Sequence, residues 1–149
     1  MDNYEINRST YAIIPTENSF STVLAEDNNY TVEKLPTKIV DDSCKNFGSS
    51  LNGRQEGTKK LINISYKAPI IVCETSEIIF FPTSSPRFKD CMWISLNNIK
   101  NYYKEDNYTV LEFKNGKKLK LEVSFYTVEN QIFKATMLAS KLFKLKQEK

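Results

Sequence analysis

The chain of 149 residues contains no histidine. This excludes Ser-His and Cys-His nucleophile pairs and any histidine metal ligand, and no side chain titrates near neutrality without a large environmental shift. Cysteine is scarce too. Cys44, Cys73 and Cys91 lie 29 and 18 residues apart, with no close pair of metal-ligand spacing, so reduced, partly buried thiols and no metal or cofactor are expected. The longest apolar runs, such as residues 68–73, fall far short of a membrane span. The amino terminus, Met1-Asp2-Asn3-Tyr4-Glu5, carries no basic or apolar signal region, so a cytoplasmic protein without membrane contact is expected. Asp41-Asp42 and Glu105-Asp106 are adjacent pairs, whose side chains point to different sides of a helix or strand. They read as turn and helix-end residues, and the chain is not expected to be an enzyme.

Glycine is also rare, but three of the four glycines, Gly48, Gly53 and Gly57, fall within ten residues. The segment 42–58 places them beside serines, amide side chains and a lone arginine, Arg54. Two readings are open: a surface whose amides and hydroxyls face an anionic partner, or ordinary helix caps and turns. A nucleotide loop is excluded, because Gly48-x4-Gly53 is followed by Arg54-Gln55 where Lys and then Ser or Thr would be needed. Arg54 carries two readings as well. Its planar donor fork suits phosphate or a narrow minor groove, while Asp41, Asp42 and Glu56 lie close enough in sequence for a salt bridge.

A length of 149 residues, 40% hydrophobic, suits one domain spanning residues 1–149. Short β-branched and aromatic runs predict strands at Thr10–Ile14, Ser21–Leu24 and Tyr30–Val32. Residues 38–47 predict a helix with Ile39, Val40, Cys44 and Phe47 inward, ended by Gly48, and a second short helix after Ser49 or Ser50. Strands are then expected at Ile62–Tyr66, Ala68–Val72, Glu77–Phe81 and Met92–Leu96, with a hairpin within residues 108–123 whose Asn115-Gly116 signals a type I′ turn.

From Phe125 to about Lys146 the spacing predicts one long helix with Val128, Ile132, Ala135, Leu138, Ala139, Leu142 and Leu145 as its buried stripe. Only residues 144–149 are expected to fray. Phe133, Met137 and Phe143 lie off the stripe and are candidates for self-association, with core packing as the other reading. The fold class is α+β: a mainly antiparallel, partly closed sheet or barrel with a central helical insert and a long carboxy-terminal helix. Its element order suggests an analogy with barrels of the pleckstrin-homology type.

Several blocks of sequence occur together: Ser43-Cys44, Phe47-Gly48-Ser49-Ser50, Gly53-Arg54 and Gly57-Thr58, then Ile64-Ser65, Lys67 and Pro69-Ile70. Phe81-Pro82-Thr83, Cys91, Trp93-Ile94-Ser95, Asn115-Gly116 and Glu129-Asn130-Gln131 follow. In order and spacing, over roughly residues 4 to 143, the chain resembles the competence transcription factor (ComK) family. The resemblance implies a bacterial activator of competence genes that reads paired A·T-rich boxes in double-stranded promoter DNA, largely through the minor groove, as a dimer or tetramer. It further implies a cytoplasmic, nucleoid-associated protein acting with the transcription machinery. Longer members carry a tail tied to activation and adaptor-mediated turnover. This sequence stops at Lys149, which gives the expectation that DNA binding outlasts those functions. The alternative is a short paralogue that pairs with and tunes a full-length regulator.

Charge distribution suits a polyanion. Residues 1–43 hold three basic and eight acidic side chains (−5), residues 44–85 five and three (+2), and residues 86–149 thirteen and seven (+6). Ordinary lysine decoration of solvated elements is the competing reading, and a module for anionic lipid is a third. With the resemblance, Arg54 is assigned to DNA, Lys45, Lys59, Lys60 and Lys67 to phosphates, and Ser49, Ser50 and the amides near Gly53 to positioning of the backbone. Arg87 and Lys89 lie in a proline-bounded loop that joins the same face, although the family's arginine there is one position away. Phe88 is either a wedge between base steps or packed on its own domain. Trp93 is assigned to the core.

Overall fold

The computed structural model describes residues 1–148. Nine strands and three helices follow in order: β1 Thr10–Pro15, β2 Ser21–Ala25, β3 Asn29–Val32, α1 Pro36–Asn46, α2 Leu51–Ile62, β4 Ile70–Cys73, β5 Ile78–Pro82, β6 Trp93–Ser95, β7 Ile99–Glu105, β8 Tyr108–Phe113, β9 Lys118–Leu121 and α3 Phe125–Gln147. Six strands form one antiparallel sheet in the order β3-β2-β1-β6-β5-β4, and β7-β8-β9 form a second. The α+β reading holds. The larger sheet is open, with β3 and β4 as its edges, so the expected partial closure is not formed and the barrel analogy goes with it.

Strand alternation explains the layering. In β5, Ile78 and Phe80 join the core beneath α1, with Ile39, Val40, Cys44 and Trp93, whereas Ile79 and Phe81 face α3 and the second sheet. On that side they meet Leu111, Phe113, Val128 and Leu138. The central sheet is therefore covered on both faces, and its strands read as apolar runs rather than a clean alternation. Cys44, Cys73 and Cys91 are buried and free.

Three local expectations are corrected, and one strand is added. Residues 62–66 form no strand, because α2 runs through Ile62 and ends at Asn63, which takes the left-handed cap at φ +58. Phe47 is 36% exposed, since it is the cap residue beyond the last turn of α1 rather than part of its buried stripe. At the β8–β9 turn only Gly116 has positive φ (+90); Gly116 N–H donates to Phe113 O at 2.9 Å and Phe113 N–H to Lys117 O at 2.8 Å. This is a three-residue loop with a glycine bulge, not type I′. Asn115 is occupied elsewhere, donating from Nδ2 to Glu26 O at 3.0 Å and accepting from Lys117 N–H at 2.9 Å. Strand β7 had no counterpart in the sequence reading, because Lys-Asn-Tyr-Tyr-Lys is largely polar and the strand is made by pairing, Tyr102 opposite Leu111.

Helix α3 begins at Ser124, whose Oγ accepts from Thr127 N–H at 3.1 Å, and buries Val128, Ile132, Ala135, Leu138 and Leu142. Ala139 and Leu145 are half-buried. The helix continues through 144–147, where fraying was expected; Lys149 lies outside the described residues.

Candidate nucleic-acid interface

The glycine-rich segment is helical rather than an open loop. Gly48, at φ +85, turns the chain out of α1, with Gly48 N–H donating to Lys45 O at 3.1 Å and Ser49 N–H to Cys44 O at 3.0 Å. Ser50 caps α2, its Oγ accepting from Gly53 N–H at 2.9 Å, and Asp41 Oδ1 accepts from Leu51 N–H at 2.9 Å. These two amides of the first turn are thus used internally. A Cβ on Gly53 would sit 2.7 Å from Ser49 Oγ and 3.3 Å from Ser50 Oγ, so the glycine makes room for this junction.

Arg54 follows in the first turns of α2. It is partly buried, its Nε has no hydrogen-bond partner, and it makes no ion pair among the described residues. Asp41, Asp42 and Glu56, the acids near it in sequence, make no ion pair with it among the described residues. Asp41 pairs with Lys45 at 3.2 Å, and Asp42 pairs with Lys34 at 2.8 Å and Lys38 at 3.0 Å. Burial would raise the Asp42 pKa, but the two lysines outweigh it and hold the carboxyl below its usual value. Burial pushes the neighbouring Cys44 thiol up to about 12, with Arg54 opposing.

Lys59 and Lys60 are exposed in the last turn of α2, where a cation complements the helix dipole. Lys67 lies in the next turn at φ +47. Its carbonyl accepts from Gln131 Nε2 at 2.9 Å. Arg87 and Lys89 are exposed in the loop between β5 and β6, with the Arg87 guanidinium 5.1 Å from the centre of the Phe88 ring. The neck of this loop is closed by Thr83 and Met92, and Pro86 O accepts from Thr37 Oγ1 at 3.2 Å. Thr37 also accepts from Trp93 Nε1 at 3.0 Å, and Trp93 is fully buried, as expected. Phe88 is 51% exposed.

These residues divide between the two ends of the sheet. Lys67 precedes β4, and the Arg87–Lys89 loop joins β5 to β6, so in an antiparallel sheet they share one end, where Thr37 lies in the first turn of α1. At the other end, Phe47 shares a surface depression with Ser76 of the β4–β5 turn and Ile78 at the start of β5, which puts the neighbouring Lys45, Ser49, Ser50 and Gly53 there. Helix α2, about 18 Å long at about 1.5 Å per residue, connects the two groups. Sequence reasoning missed the residue that ties the first group together. Gln131 is 1% exposed and its Nε2 donates to both Lys67 O and Pro82 O, the latter at 2.7 Å. A polar side chain inside the α3 apolar stripe was the available signal.

Phe133 and Met137 are 58% and 51% exposed on one face of α3, which Tyr126 extends, and Phe143 is exposed further round the helix. Among the described residues no group of three or more His, Cys, Asp or Glu is placed to hold a metal ion, and no helix is long and apolar enough to cross a membrane.

The family model described as "ComK protein" matches residues 1–147. The competence transcription factor of Bacillus subtilis (strain 168) is 37% identical over 145 residues, covering 95% of this chain and 76% of that protein. No solved structure matches the chain.

Proposed function

This chain belongs to the ComK protein family, and from that premise we propose that it is a DNA-binding transcriptional activator of competence genes, reading paired A·T-rich boxes through the minor groove as an oligomer. The observation that carries the reading within the structure is the state of its cations. Of the seven basic candidates, only Lys45 has a carboxylate partner among the described residues; Arg54, Lys59, Lys60, Lys67, Arg87 and Lys89 have none. Unneutralised cations on a protein this small favour a polyanion, and each phosphate they engage releases a counterion. Arg54 is assigned the minor-groove contact, because its guanidinium has no carboxylate partner among the described residues and A·T tracts concentrate negative potential in a narrow groove. Lys45 exchanges Asp41 for a phosphate, and Ser49 and Ser50 shape the junction that presents Arg54. The protein acts in the cytoplasm, on nucleoid DNA and with the transcription machinery.

Two boxes call for two copies. The exposed Phe133, Met137 and Phe143 on α3 supply the apolar surface for that association. The same surface supports a second reading, a subunit that pairs with a longer family member and tunes it.

Fluorescence anisotropy of a duplex with two A·T-rich boxes, against a G·C-substituted control and over a salt series, tests the proposal. Preferential, salt-sensitive binding that loses its A·T preference in Arg54→Ala is the expected result. Equal, feeble binding to both duplexes, rescued only by adding the longer relative, would replace the first reading with the second.

A further inference from the structure

The turn after α2 holds an exposed ring between two cations. Tyr66 is 71% exposed, Lys67 Nζ lies 5.3 Å from the centre of its ring and Lys134 Nζ, on α3, lies 5.8 Å from it. Neither lysine has a carboxylate partner among the described residues. Lys134 Nζ donates to Tyr66 O at 3.2 Å, which ties it to the backbone of this turn. Two like charges are therefore held around one ring with nothing to neutralise them. Burial, and then the nearby Lys67, hold the Lys134 pKa below its ordinary value.

The backbone is built to keep this arrangement. Lys67 sits at φ +47, a left-handed conformation that costs a non-glycine residue about 1 kcal/mol or more and persists only when its surroundings enforce it. Gln131 does so from the core, gripping Lys67 O with the same amide that grips Pro82 O at the root of the Arg87–Lys89 loop. One buried side chain thus sets both basic segments at this end of the sheet in fixed relation.

We propose that Tyr66, Lys67 and Lys134 form a clamp for the sugar-phosphate backbone of DNA, with the two ammonium groups on phosphates and the Tyr66 ring against the intervening sugar, and with Gln131 as the positioning residue. The clamp rests on the DNA-binding reading above. It adds a contact at the end of the sheet opposite Lys45 and Ser50, beside the Arg87–Lys89 loop, so that the backbone is held at two places and Arg54 reads the groove from α2 between them. Phosphate contacts of this kind orient the protein and carry no base preference.

The test compares unsubstituted protein with the Lys67→Gln/Lys134→Gln double variant in the same anisotropy salt series, on A·T and G·C duplexes. Loss of two phosphate contacts flattens the slope of log K against log salt by about 1.8 and weakens binding about thirtyfold at about 0.15 M salt, with the A·T preference kept. Unchanged affinity and slope in the variant, with the unsubstituted protein binding normally, would overturn the clamp and leave the DNA reading standing. Failure of the unsubstituted protein to bind either duplex would overturn both. Lysine acylation of the unsubstituted protein, read by mass spectrometry, covers the case of a misfolded variant. DNA should protect Lys67 and Lys134, and full labelling of both in the complex would refute the clamp.

Discussion

Replacing Gly57 by alanine should stabilise the protein, although the residue lies inside the glycine-rich segment. Gly57 is in the middle of α2 with no positive φ, and a Cβ built on it meets no heavy atom within 4 Å. Alanine therefore adds helix propensity without a clash, a gain of about 1 kcal/mol. With an unfolding entropy of about 2.1 cal/mol/K per residue, a chain of 149 residues has about 310 cal/mol/K in all, so Tm should rise by about 3 °C. Gly53→Ala is the internal control. Its Cβ would meet Ser49 Oγ at 2.7 Å, which must swing away, and press on Ser50 Oγ at 3.3 Å, the oxygen that caps α2; losing that cap costs about 1 kcal/mol, which cancels the gain. Scanning calorimetry of both variants decides the matter. A lower Tm for Gly57→Ala, or equal rises for the two, would refute the reasoning.

Ser50→Ala should lower Tm by about 3 °C in the same calorimetry, because it removes the acceptor for Gly53 N–H while Asp41 still holds Leu51 N–H; an unchanged Tm would show that Asp41 alone suffices. The Cys44 thiol has its pKa raised from near 9 to about 12, so the native state keeps its proton longer than the unfolded chain does. Its contribution is complete below pH 9 and is lost as pH climbs from 9 towards 12, by up to about 1.4 kcal/mol per pH unit. Urea titrations at successive pH values should show a shallower alkaline decline for Cys44→Ala, and parallel declines would sink the assignment.

What the sequence disclosed, and what it hid, follows from the range of the forces involved. The stripe Val128, Ile132, Ala135, Leu138 and Leu142 and the end of α1 at Gly48 are local patterns, and both are found where the spacing put them. Strand β7 and the turn at Asn115-Gly116 depend on partners elsewhere in the chain: β7 on β8, and Asn115 on Glu26 across 89 residues. Local propensity carries no record of such contacts. At the candidate interface the glycines signalled an unusual backbone, but only Gly48 among the three has positive φ; Gly53 provides clearance and Gly57 an open helix face. Net charge could not say that Lys67 and the Arg87–Lys89 loop share one end of the sheet, since strand order decides that.

The junction of α1 and α2 also bears on when the cost of ordering this segment falls due. A glycine-rich loop that became ordered on DNA would lose backbone freedom at about 1–2 kcal/mol per residue at the moment of binding. Here residues 48–57 are already fixed: Gly48 and Ser49 bond back to α1, Ser50 and Asp41 cap α2, and Thr58 Oγ1 ties the far side to Pro69 O at 2.6 Å. Ordering is therefore completed during folding, and in the proposed reading Arg54 meets DNA from a helix in place rather than from a loop that must find its shape. Such preorganisation preserves interaction energy for the complex. It also means that variants loosening the junction, Ser50→Ala among them, should weaken binding beyond their effect on stability, in proportion to the freedom they restore to α2.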